Sequence, residues 1–302
     1  MTPQKNVGEP LATAPYPFSL VSLAWFLALL VVCYAPILQR LVSQWANDED
    51  MGHGFFVPVI AGYVAWQNKD QLRSAQLKSS LAGYLFLILG AGLSILGTLA
   101  AELFTTRVAF LLSVFGCVLV LGGWKAVRIL AFPLFLLLFM IPIPAIIYNR
   151  ITFPLQLLAS QLAEIVLDMF GIPVLREGNV LELPSQKLSV VEACSGIRSL
   201  ISLSFLSLIY AHFFDQKVWM RWVLLVLTVP IAITANASRV TLTGLLSEIN
   251  TEYATGVYHS MSGWAVFAIA FVMLFVTHRF VNLVYQTATA PPTGPDPEPQ
   301  GV

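Results

Sequence analysis

Charge is scarce in this sequence: Asp, Glu, Lys and Arg make up 11% of its 302 residues, acids and bases balance at 16 each, and the formal net charge is zero. A chain without an excess of either sign has no field to gather nucleic acid or a strongly charged partner, and neither is expected. Cysteine is equally sparse. There are three, an odd number, and Cys33 and Cys117 lie inside apolar runs, which excludes a disulfide-stapled framework. No small-residue cleavage pattern follows the first apolar run, so that run reads as an uncleaved signal anchor. The pattern calls for no metal and no cofactor, and hydropathy shows no internal repeat.

Apolar residues are what the chain has in excess. They reach 57%, with a mean hydropathy of +0.78, well beyond the usual composition of a soluble domain. The expected fold is an all-α polytopic membrane protein with the lipid bilayer as its solvent. It divides into a disordered tail over 1–17, a multi-pass domain over 18–285 and a disordered, Pro-rich tail over 286–302.

Eight crossings are expected, over 18–38, 55–66, 81–101, 108–121, 127–148, 196–214, 218–235 and 260–277. The second is short and carries Pro58, so a re-entrant path remains open for it. Lys69, Arg73 and Lys78 place the loop after it in the cytoplasm, which puts both termini inside. Gly83, Gly90, Gly92 and Gly97 let the third run approach a neighbour closely. The segment 151–170, interrupted by Gln156, Gln161, Glu164 and Asp168, suits a helix lying in the external interface. Around Pro184-Ser185 the residues alternate as in a small extracytoplasmic β-hairpin.

That hairpin leads directly to Glu192-Ala193-Cys194-Ser195-Gly196-Ile197-Arg198-Ser199-Leu200, where a polar loop enters an apolar run. Unpaired amides and the dipole at a helix start favour a thiolate, and Arg198 follows Cys194 by about one turn. The expected topology brings Arg239 and His259 to the same external face, each at a helix mouth. A thiol, an imidazole and a guanidinium suffice for acyl transfer: nucleophile, proton carrier and stabiliser of the oxyanion. Asn236 shares a helical face with Arg239. His212 and His278 fall on the opposite side as interfacial anchors, and Ser195, Ser199 and Ser202 form a small-residue seam. Two other readings stay open at this point. One is a serine intramembrane protease using Ser195. The other is a transporter component with an anion site at Arg198 and Arg239.

The chain resembles the exosortase and archaeosortase family of membrane-embedded cysteine transpeptidases. The resemblance rests on Gly52-His53-Gly54-Phe55 with Val57-Pro58, Arg176-Glu177-Gly178-Asn179, the stretch around Cys194, Asn236-Ala237-Ser238-Arg239, and His259 with Gly263-Trp264. It implies Cys194 as nucleophile, His259 as proton-transfer partner and Arg239 as oxyanion or substrate stabiliser, with Arg198, Asn236, Ser195 and His53 in support. It also implies a bacterial inner membrane and cleavage on the extracytoplasmic side. The implied substrates are membrane-tethered secreted proteins bearing a C-terminal sorting signal: a Pro-Glu-Pro-type motif, a transmembrane helix and a basic tail. Exopolysaccharide coupling is an association of the family. The acceptor stays open between water, a lipid amine and a polysaccharide component.

Overall fold

The computed structural model describes residues 20–190, 197–215, 217–251 and 256–289, and within these the side chains of 20, 49, 50, 197–199 and 256–260 are not described. The chain forms two compact units that divide between Pro144 and Ala145.

In the first unit, α1 (Leu20–Cys33) and α2 (Ala35–Asn47) meet at a bend of 80°. The crossing expected over 18–38 is therefore broken at Tyr34. Fourteen residues of helix rise about 21 Å, short of the roughly 30 Å hydrocarbon core. Tyr34 fixes the elbow, its hydroxyl lying 2.8 Å from Ser113 Oγ, and Pro36 opens the next helix where a missing N–H does no harm. α2 buries Leu41 and Trp45, and the indole Nε1 donates to the Met140 carbonyl at 3.0 Å. A 3-10 turn over Glu49–Phe55 leads into α3 (Phe56–Gln67) and α4 (Lys69–Ser74).

Next come α5 (Ala82–Leu99) and α6 (Leu103–Ile129). Gly83, Gly90 and Gly97, seven residues apart, face α6 so closely that a Cβ on them would come within 2.5 Å of Val120 N, 2.3 Å of Ser113 Oγ and 2.8 Å of Thr106 Cγ2. Gly92 faces open space. The large side chains Leu85, Ile88, Ile95 and Leu96 point outward and exposed. Small residues inside and large apolar ones outside is the packing of a helix pair solvated by lipid. The turn expected at Gly122-Gly123 is a kink within α6, where Gly123 takes φ 64° and lies against the Lys78 carbonyl. α7 (Ala131–Leu136) and a 3-10 turn over Leu137–Met140 follow, so the run expected over 127–148 ends before Pro142 and Pro144.

The second unit opens with α8 (Ala145–Met169), a continuous helix of 25 residues with Pro154 inside it. The hairpin expected after it is a three-stranded antiparallel meander: β1 (Leu175–Glu177), β2 (Val180–Glu182) and β3 (Lys187–Ser189) in the order β1-β2-β3. Gly178, at φ 65°, supplies the extra turn in the first arm. Leu181, Leu183, Leu188 and Val190 pack on Ala159, Ala163 and Leu167 of α8. Each such leucine contributes roughly 1.5–3 kcal/mol by leaving solvent. Among the described residues three longer helices follow: α9 (Ile197–Phe214), α10 (Val218–Ile249) and α11 (Gly256–Thr289). α11 thus runs through residues 286–289, which the sequence assigned to a tail.

Among the described residues, four helices are long and apolar enough to cross a membrane, or up to six if each of two interrupted helix pairs counts as one crossing. The apolar stretch Leu200–Phe214 is shorter. The chain is a mostly helical, multi-pass membrane protein with a small sheet.

Candidate active site

Arg239 was expected at a helix mouth and is instead well inside α10, which continues to Ile249. At 32 residues that helix is about 48 Å long, so its far end projects past a bilayer core of about 30 Å. The projecting turns hold the sheet. Ala237 and Val240 pack into the core beneath it, and Glu248 accepts a hydrogen bond from the Ser185 amide at 3.1 Å. On α8, Gln156 accepts from the Asn179 amide at 3.1 Å and Glu164 pairs with Arg176. The polar residues of 151–170 thus anchor the strands that lead to Cys194.

The Arg239 guanidinium lies on α11 at Gly263. A Cβ there would stand 3.0 Å from Nη2 and 3.1 Å from Cζ. His259 occupies the position one turn before Gly263, which the helical period places on the same face of α11. The absence of a side chain at Gly263 therefore leaves room for the cation beside the turn that carries His259. Asn236, one turn before Arg239, is buried at 5% exposure and lines a small apolar pocket with Leu155, Leu200, Val229, Ala232 and Ile233. Leu200 comes from α9, two residues after Arg198, whose backbone lies in the first turn of that helix.

Cys194 and Ser195 lie outside the described residues, and the side chains of Arg198 and His259 are not described. His53 belongs to the first unit, where its Nε2 lies 3.2 Å from the Phe139 carbonyl. Among the described residues no group of three His, Cys, Asp or Glu is placed to hold a metal ion.

The transmembrane exosortase family model matches residues 45–276. The chain belongs to that family. Its members are, in general, membrane-embedded sorting transpeptidases of the cysteine type. No curated protein and no solved structure matches the chain.

The family match ends two residues before His278, which belongs to a polar cluster that the sequence reading missed. His278, expected at an interface, is buried: its Nδ1 lies 3.0 Å from Tyr210 Oη and its Nε2 lies 3.0 Å from Asp215 Oδ2. Asn282 donates to the same Asp215 oxygen at 3.0 Å. The available signal was an Asp closing one apolar helix and a His-x3-Asn pair ending another.

The contact at Gly263 yields a prediction. Gly263→Val would force the guanidinium off its seat by more than the few tenths of an ångström that Gly263→Ala requires. Turnover should fall by about 10²-fold for Val and much less for Ala, since a displacement near 1 Å at a positioned group costs about that much. Equal activity in both variants, measured with folded protein in lipid, would remove Arg239 from the chemistry.

Proposed function

We propose that the chain is a protein-sorting cysteine transpeptidase of the inner membrane, acting on the extracytoplasmic side on secreted proteins with a C-terminal Pro-Glu-Pro-type signal. Both termini lie in the cytoplasm, and adding α3 and α9 to the six crossings allowed by length brings the count to eight. The reading is carried by one observation: Arg239 seated against Gly263, one turn from His259, in a chain of the exosortase family.

In this mechanism the Cys194 thiolate attacks the scissile carbonyl, forming a C–S bond and a tetrahedral oxyanion that Arg239 stabilises with its N–H donors. Collapse breaks the C–N bond, and the departing amine takes a proton from His259. The sorting-signal tail leaves and an acyl thioester remains. A nucleophilic acceptor then loses its proton to His259, attacks the thioester and expels the thiolate, so the site returns to its starting protonation. Arg198 and Ser195 support the thiolate at the start of α9. Asn236 acts as a positioning residue.

A tagged secreted protein carrying such a signal, made with and without this chain, tests the proposal. Its tail should be lost only when the chain is present, and mass spectrometry of the new C-terminus identifies the acceptor. Intact tails under both conditions would refute it.

A further inference from the structure

The alternation of the sheet fixes where its unused hydrogen-bonding groups point. Leu181 pairs with Leu188, the Leu183 amide donates to Gln186 at 3.0 Å, and the Val190 amide donates to Asn179 at 3.0 Å. Residues 186, 188 and 190 therefore turn their backbone groups toward β2. Those of Lys187 and Ser189 point the other way, where they have no backbone partner among the described residues. Lys187 is exposed and Ser189 half-buried, so this edge is reachable. It is also rigidly held, because Leu188 and Val190 are buried and the β2–β3 turn is tied to Glu248.

β3 ends at Ser189, and Val190 after it already has helical backbone. Cys194 follows Ser189 by five positions, a reach of at most about 18 Å, and the apolar helix α9 begins three residues later. Resting on the proposed function, we propose that the extended sorting motif binds as a fourth strand on the free edge of β3, parallel to it. The motif lies on Lys187 and Ser189, and the substrate's transmembrane helix follows it in the same order as α9 follows β3. Parallel pairing uses the amide and carbonyl of both edge residues, up to four hydrogen bonds, and so gives affinity through the main chain. A motif with proline at alternate positions suits such an edge. The missing N–H groups face away from β3 while the residue between the prolines offers its own toward it.

Backbone N-methylation of the substrate tests this with the enzyme unaltered. Synthetic signal peptides, motif plus apolar helix plus basic tail, carry one N-methyl group at each successive non-proline residue of the motif and its flanks, the prolines having no N–H to replace. Affinity for the full chain in nanodiscs is read by fluorescence anisotropy and cleavage by mass spectrometry. Methylation is expected to lower affinity about tenfold at every second residue, the set that includes the one between the prolines, and to leave the intervening residues near the unmethylated value. Uniform tolerance, uniform loss, or no binding of the unmethylated peptide would overturn the edge-strand proposal. Period-two binding without cleavage would leave the edge standing and refute the cysteine mechanism.

Discussion

Cys194→Ala is expected to lower removal of the sorting tail by about 10⁴-fold or more, with the chain still folded and inserted. The size follows from what remains. Arg239 against Gly263 and His259 on the next turn could still polarise a carbonyl and move a proton, but no group would be left to form the covalent intermediate. Cys194→Ser should be nearly as inactive, because a hydroxyl needs a base to ionise whereas a thiol at a helix start is already partly thiolate. A serine protease built on Ser195 would show the opposite pattern, losing activity with Ser195→Ala and keeping it with Cys194→Ala. An anion transporter would keep its flux in either variant. A charged maleimide applied from outside should modify Cys194 and spare the other two thiols. Cys117 is buried at 3% exposure, and Cys33 lies in an apolar helix where a charged reagent does not enter. Processing by Cys194→Ala at the normal rate would end the mechanism.

Which features were legible in advance depended on the range of the forces that make them. The glycine heptad of α5 could be read directly, since the absence of three side chains on one face has one geometric consequence. The Pro184-Ser185 turn was equally local. The length of α10 was not legible, because hydropathy marks where the membrane ends and not where the helix ends. The crossing was expected to end at residue 235, yet Ser238 and Thr241 return their hydroxyls to the carbonyls of Thr234 and Ala237, and the helix continues through them. The break at Tyr34 depends on Ser113, 79 residues away, and no local pattern announces it. At the site, residue types and spacing pointed to Arg239 and His259 as candidates. What only the coordinates supply is that Gly263 is the seat of the guanidinium.

The second large effect concerns stability. Asp215→Ala is expected to destabilise the protein by about 3 kcal/mol, roughly a 10 °C fall in unfolding temperature for a unit of this size. Asp215 and His278 are each 7% exposed, and the carboxylate is the common acceptor for His278, Asn282 and the Lys217 amide, which donates at 2.8 Å. Truncation leaves the buried His278 and the half-buried Asn282 and Lys217 donors without their acceptor. Burial pushes the Asp215 carboxyl up, but the Lys217 amide, His278, Asn282 and the Lys217 charge together outweigh it, so its pKa is lowered. With the folded value below the unfolded one, near 3.9, the contribution is full above about pH 4 and is lost as pH falls through the folded value. The wild type should therefore lose stability below pH 4 by a component that Asp215→Asn lacks. An unfolding temperature within a degree or two of wild type for Asp215→Ala would show that the cluster holds nothing. The cluster ties the end of α9 to the later part of α11 through Tyr210 and His278. Those are the helices whose first turns carry Arg198 and His259, so loosening their far ends is expected to lower turnover as well, with every reacting group intact.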